Sequence, residues 1–188
     1  MLYRKAGKTG RVLSILGFGC MRLPILEGKA HLIDEEKAQA MVDYAIRHGV
    51  NYFDTAYVYH SEVPFQAGMS ELFLGRALKA QRQKVHVATK LPSWFIESRA
   101  DMDRYLDQQL GRLQTNQIGF YLVHGLTGEL WSKLKQLGIT EFLDAALADG
   151  RIGHAGFSFH DEAPFFKPIV DAYDWSFCQI QYNFMDED

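Results

Sequence analysis

The feature that most constrains this chain is an alternation: short apolar runs rich in β-branched and aromatic residues repeatedly give way to longer amphipathic stretches. The runs are Ser14–Met21 (SILGFGCM), Val50–Asp54, Val85–Lys90, Gly119–His124, His154–Ser158 and Phe177–Tyr182. Each is almost continuously apolar, as strands buried on both faces are. The stretches between them read as helices. Asp34–His48 opens with acids, carries Ala38, Met41, Val42, Ala45 and Ile46 at helical spacing, and stops at Gly49. That is an N-cap answered by a glycine stop. Ser70–Ala80 begins with a Ser N-cap, and Ser98–Leu113 sets Met102, Tyr105, Leu106, Leu110 and Leu113 along one face. Leu130–Asp149 closes at Gly150, and Ala163–Tyr173 is broken by Pro164 and Pro168. Strand and helix in turn argue for an α/β fold, a parallel sheet covered by helices. Ahead of the first run, Tyr3–Leu13 reads as a small N-terminal β-hairpin suited to plugging the bottom of a barrel. No low-complexity linker interrupts residues 1–188, so they read as a single domain. Periodicity alone does not separate a barrel from an open doubly wound sheet.

The polar residues tilt the choice. Four runs end in a chemically loaded residue: Asp54, Lys90, His124 and Ser158. Any strand ends in something polar as it leaves the core, so one such residue says little. Asp, Lys, His and Ser on successive strands, with Tyr59 five residues after Asp54, say more. In parallel barrels the active site gathers at the C-terminal ends of the strands, several of which each contribute a residue. These types suit a specific chemistry. A Tyr hydroxyl, with an ordinary pKa of about 10, is a poor acid at neutral pH. A lysine ammonium beside it favours the phenolate and eases proton donation. An aspartate keeps the lysine charged and oriented, and a histidine can hydrogen-bond the substrate oxygen. Tyr59, Lys90, Asp54 and His124 together make a proton donor for a carbonyl receiving a hydride. None of them is a redox group, so the hydride must come from a cofactor.

Composition excludes several classes. Twenty Lys and Arg against 23 Asp and Glu give a net charge of −3, whereas nucleic-acid and anionic-membrane surfaces call for a basic excess. No apolar run approaches the roughly 18 residues of a membrane-spanning helix, and the basic start MLYRKAGKTGR is not a signal peptide. Cys20 and Cys178 both sit in apolar runs and read as two buried thiols in a reducing compartment, hence a cytoplasmic protein. His60, His154 and His160 lack metal-ligand spacing, so no metal site is expected. GFG at 17–19 is not a dinucleotide fingerprint, since no third glycine follows. Trp94–Phe95 reads equally as loop packing or as a hydrophobic substrate wall. The acidic run Asp186–Asp188 reads as a solvated end.

At these residues the chain resembles the aldo/keto reductase family. YFDTAYVYH resembles the motif of the family's second strand, VATKLP the lysine motif of the third, YLVHGL the histidine of the fourth, and LGFGCMRLP the first strand. DGRIGHAGFSFH is similar to the approach to the fifth strand and CQIQYN to the sixth. The resemblance implies a (β/α)8 TIM barrel, of which about six βα units are present here. It implies NADPH as cofactor, with NADH as the variant, and a small-molecule carbonyl substrate. It makes Tyr59 the general acid, Lys90 and Asp54 its tuning pair, and His124 the residue that positions the carbonyl. Ser158 and Gln179 would hold the nicotinamide carboxamide, and Gly19, Cys20 and Met21 would lie along the ribose, near Asp54. Tyr57 also lies near the site, but only Tyr59 has the family spacing. The chain departs from the family where Phe159 and His160 follow Ser158 in place of an Asn, and where His60 follows Tyr59 in place of a Gly. GFSFHD is similar to a branch that often carries a C-terminal cysteine cluster for iron–sulfur binding, absent from these residues. A complete barrel typically needs about 250 residues, so the barrel's C-terminal part is expected to be missing and the native polypeptide longer. The alternative function is a cofactor-binding regulatory protein on the same barrel.

Overall fold

The structure, a computed structural model, describes residues 1–183 and Met185; the acidic run Asp186–Asp188 lies outside them. Strands β1 (Tyr3–Lys5) and β2 (Val12–Ser14) form the expected antiparallel hairpin, with Tyr3 opposite Ser14. Six parallel strands follow: β3 (Phe18–Gly19), β4 (Tyr52–Asp54), β5 (His86–Leu91), β6 (Ile118–Leu126), β7 (Ile152–Phe159) and β8 (Phe177–Ile180). They lie side by side in chain order with no reversal. A doubly wound sheet would reverse direction at a switch point; an unbroken sequential order is the arc of a barrel. Helices fill each crossover: α1 (Glu35–Arg47), α2 (Ser70–Ala77), α3 (Arg99–Arg112), the pair α4 (Gly128–Gln136) and α5 (Ile139–Ala148), and α6 (Ala163–Val170). None of the described helices is long and apolar enough to cross a membrane.

Local chemistry explains the boundaries. Asp34 caps α1 by accepting from the Lys37 amide, and Gly49 ends it at φ 90°. Ser98 and Asp101 close a reciprocal capping box on α3. Three expectations are corrected. Ser14–Met21 is two strands, because the Ser14 hydroxyl donates to the Leu16 carbonyl and folds the chain between them. Leu130–Asp149 is two helices, because Gly138 at φ 77° breaks the α-helical path while both halves keep their apolar faces on the core. Ser70 is the first residue inside α2 and caps nothing; its hydroxyl bridges Thr55 and the Cys20 carbonyl instead.

The core has two parts. The larger lies between the sheet and the helices; the smaller fills the concave face of the sheet with Ala88, Phe120 and Leu122, flanked by Leu13, Tyr52 and Phe177. Phe120 meets Tyr52 two strands away on one side, at 5.4 Å between ring centres, and Phe177 two strands away on the other, at 5.2 Å. Rings converging across intervening strands mark the curl. Alternate residues of a strand share a face, so the inward side chains stack in three layers. The middle layer is apolar: Ala88, Leu122, Gly156 and Phe177, the last filling the space that a Gly156 side chain would occupy. Above it, at the C-terminal ends, stand Lys90, His124, Ser158 and Gln179; below it stand His86 and His154. Cys20 is buried as expected, but Cys178 is exposed, because it points away from this interior on the edge strand β8.

Close helix packing yields a test. A methyl group on Gly75 of α2 would stand 2.5 Å from the Arg112 carbonyl oxygen and 2.9 Å from the Leu113 carbonyl carbon. Alanine is the better helix former by about 1 kcal/mol, but overpacking costs about 1–3 kcal/mol. Gly75→Ala is therefore expected to lower the urea midpoint of the full-length protein. A raised midpoint would show that α2 and α3 are not in contact there.

Candidate active site

The site is built around the buried ammonium of Lys90, whose side chain is 2% exposed. Residue 90 faces inward near the end of β5, one strand over from Asp54 at the end of β4. Its Nζ lies 2.7 and 2.8 Å from the two Asp54 carboxylate oxygens, 2.8 Å from the Thr55 carbonyl oxygen and 3.3 Å from the Tyr59 hydroxyl. An ammonium has three N–H donors, and here every one has an oxygen to meet. A buried cation is tolerable only with such partners.

Tyr59 reaches Lys90 from the loop between β4 and α2. The loop doubles back, with Gly68 N–H donating to the Tyr57 carbonyl, Met69 N–H to that of His60 and Ser70 N–H to that of Tyr59. A side chain at 68 would place its first carbon 1.9 Å from the Tyr59 carbonyl oxygen, so only glycine allows this approach. His60 sits at φ 61°, in the left-handed region that glycine enters freely. Here the imidazole offers compensation: Nε2 accepts from Leu23 N–H at 3.0 Å, so Nδ1 carries the proton and donates to the Ala30 carbonyl at 2.7 Å. His60 thereby ties the loop following β3 to the one carrying Tyr59. Tyr57 turns the other way and donates to Gln108 at 3.3 Å, with its ring 5.1 Å from that of Tyr105.

His124 stands across from Tyr59, the two rings near perpendicular at 6.1 Å between centres. Trp94 lies against its other side at 4.9 Å. The Ser93 hydroxyl holds the His124 carbonyl, and Nδ1 is buried with no hydrogen-bond partner among the described residues. Burial, then the Lys90 charge, then His160, push the imidazole pKa down to about 3. His124 is therefore neutral at physiological pH and acts through hydrogen bonds rather than charge.

These residues line a cavity of about 510 Å³ that also includes Met21, Ser158, Gln179 and His160. The Ser158 hydroxyl accepts from Gly125 N–H at 2.8 Å and keeps its own proton to donate. Of the residues expected along the cofactor, Met21, Ser158 and Gln179 border the cavity. Gly19, Cys20 and Asp54 do not. Cys20 is fully buried, with its amide donating to the Asp54 carbonyl and its carbonyl accepting from Ser70. Burial, with Asp54 second, raises its thiol pKa. Trp94 borders the cavity, while Phe95 packs on Tyr105, so the pair divides between wall and loop packing. Phe159 faces the helices against Phe166 and leaves His160 at the rim.

Sequence reasoning missed the network behind the site. Glu71 is fully buried; it accepts from Thr89 at 2.6 Å, from Gln109 at 2.7 Å and from Arg112 Nε at 2.8 Å. Burial raises its pKa, against the pull of these donors. Gln109 also donates to the Lys90 carbonyl at 3.0 Å and accepts from Tyr121, while Arg112 donates to the Gly68 carbonyl. In sequence these residues look like ordinary solvated helix positions. The one available signal was that Glu71 and Gln109 fall on the apolar faces of their helices.

The aldo/keto reductase family pattern matches residues 15–188. The chain is similar to L-galactose dehydrogenase of Arabidopsis thaliana, 32% identical over 158 residues, which are 74% of this chain and 46% of that protein. It is similar to an uncharacterized oxidoreductase of Bacillus subtilis strain 168, 30% identical over 159 residues, covering 76% of this chain and 47% of that one. Among solved structures it superposes on the holo form of an aldo-keto reductase from Bacillus halodurans with a TM-score of 0.79 at 29% identity, covering 97% of this chain and 58% of that one. The chain spans about half the length of the curated relatives it matches. With the family pattern matching residues 15–188 and the strand order that of a barrel arc, the chain belongs to the aldo/keto reductase family.

Proposed function

We propose that the protein carrying this chain reduces an aldehyde or ketone with NADPH, with Tyr59 as the proton donor. The observation that carries this reading is the Lys90 ammonium set 3.3 Å from the Tyr59 hydroxyl and locked by Asp54 and Thr55. The donor set fits a nicotinamide: Ser158 and Gln179 offer hydrogen bonds for its carboxamide, Met21 borders the space for the ribose, and the cavity lies within the range of about 300–1,000 Å³ usual for small-molecule sites. NADPH over NADH, and the Gly19–Cys20 contribution, rest on the family resemblance. A bound nicotinamide would supply the hydride.

The remaining work falls to the chain's own residues. The Tyr59 hydroxyl and the neutral imidazole of His124 converge on the carbonyl oxygen, orienting it and drawing electron density toward it. As negative charge builds on that oxygen, the Tyr59 proton moves to it. Lys90 steadies the phenolate left behind, and Asp54 keeps Lys90 in place. Trp94 walls the cavity beside His124 and limits water there. The free thiols Cys20 and Cys178 suit a reducing compartment, and we place the protein in the cytoplasm.

Removing the phenol is the direct test. Tyr59→Phe is expected to lower kcat by about 10²–10⁴-fold, while NADPH affinity, followed by fluorescence titration, changes little. An undiminished rate would assign proton donation to another group.

The pH profile tests His124. Because the folded pKa is displaced downward to about 3, the imidazole stays neutral from about pH 5 upward, and kcat/KM is expected to show no limb from this residue near its ordinary value of about 6.5. His124→Gln, which keeps a neutral hydrogen-bonding group, should retain more kcat/KM than His124→Phe. A limb near pH 6.5 that vanishes in His124→Gln would mean that the working form is the charged imidazolium.

A further inference from the structure

At the opposite end of the barrel, where β5, β6 and β7 begin, lies a second cavity of about 290 Å³. Arg82, from the short turn leading into β5, and Arg11, from the hairpin loop, both border it, as do His86 and His154 at the starts of β5 and β7. Its described lining holds no carboxylate. Neither guanidinium has an ion-pair partner among the described residues, although twelve of the basic side chains elsewhere in the chain take part in such pairs with acids. Two nitrogens sealed from solvent, Arg82 Nη1 and His154 Nε2, have no hydrogen-bond partner among the described residues.

A folded protein rarely leaves buried donors unmet without a role for them. The group that answers two guanidiniums and two imidazoles is a compact anion with several acceptor oxygens. We propose that this cavity binds a small multivalent oxyanion, the phosphate of inorganic phosphate or of a phosphomonoester, between Arg82, Arg11, His86 and His154. Backbone spacing favours it. Glycine stands at 119 and at 153 in the cavity wall, and a side chain at 153 would meet the Gly119 carbonyl oxygen at 2.8 Å, so no side chain fills the space from that side. Burial, then the Arg11 charge, hold the pKa values of His86 and His154 down, with His86 adding to the effect on His154. Burial lowers that of Arg82 as well. The Arg11 charge adds a positive field at both imidazoles, which a bound anion would relieve. The apolar middle layer of Ala88, Leu122, Gly156 and Phe177 lies between this cavity and Lys90, so the proposal stands independently of carbonyl reduction.

The experiment is thermal unfolding and calorimetric titration of the full-length protein with low-millimolar inorganic phosphate, against chloride at matched ionic strength, with glycerol 2-phosphate as a second arm. Phosphate is expected to raise Tm and bind with a measurable Kd. Arg82→Gln and His154→Gln should each weaken that binding by about tenfold or more, the loss of one charge-assisted contact. In phosphate-free buffer Arg82→Gln should melt no lower than the parent, since it removes an unpaired buried cation. Lys90→Met should leave the phosphate shift intact, which keeps this site apart from the cofactor cavity. A stronger response to the ester than to phosphate would make an organic phosphate the ligand. Equal shifts in phosphate and chloride would overturn the proposal, as would a shift that survives in both Arg82→Gln and His154→Gln.

Discussion

The buried ammonium of Lys90 is the interaction on which the upper half of this molecule depends. An unpaired cation there would neutralise or drag its strand toward solvent. Its position is therefore a demand on its neighbours: a carboxylate on β4, the carbonyl that follows it, and the phenol of the next loop. The strand bearing it is held from behind as well. Thr89 faces the helices, where it donates to the buried carboxylate of Glu71, and Gln109 binds both that carboxylate and the Lys90 carbonyl. Buried ion pairs are poor evidence of net stability, since desolvation consumes most of the gain. Their value here is positional: β5 has charge-dependent partners on both faces.

The same rear network reaches Tyr59 by a short path. Arg112 holds Glu71 with Nε and, with its other arm, the Gly68 carbonyl. Gly68 lies against Tyr59 so closely that no side chain fits between them. The reacting phenol thus stands on a loop whose backbone is anchored to a helix rather than left to its own turn propensity. Supporting hydrogen bonds of this kind hold a catalytic group in a working geometry. His60 does comparable work on the other side of the loop, by bonding Leu23 and Ala30.

Much of this was legible in the sequence because strand ends advertise themselves. Asp54, Lys90, His124 and Ser158 each interrupt an apolar run, and a six-fold alternation of strand and helix already implies their convergence at one end of a parallel sheet. Boundaries were less legible. Leu130–Asp149 keeps helical periodicity across Gly138, because both resulting helices turn an apolar face to the same core, and only the left-handed backbone at that glycine divides them. Cys178 looked buried because β8 is apolar, yet exposure depends on which side of the edge strand a residue faces. Glu71, Gln109 and Arg112 were invisible for a different reason. A polar residue on a helix reads as solvated until its tertiary partners are known, and these partners come from 12 to 44 residues away.

The lower end of the barrel hides from sequence for a further reason. His86 and His154 stand at strand entrances, where polar residues are expected, and Arg11 and Arg82 belong to a hairpin loop and a turn, where basic residues usually meet water. Only the fold brings them together, and only the fold shows that their surroundings lack acids. The contrast with the upper end is instructive. Both ends confine positive charge beside polar groups, but at the top each Lys90 donor has an oxygen supplied by the chain, whereas below, Arg82 Nη1 and His154 Nε2 have none among the described residues. Between the two runs an apolar layer that neither set of charges can cross cheaply. A barrel interior built this way separates a buried ammonium whose partners the chain itself supplies from a cavity whose guanidiniums have no acid beside them among the described residues.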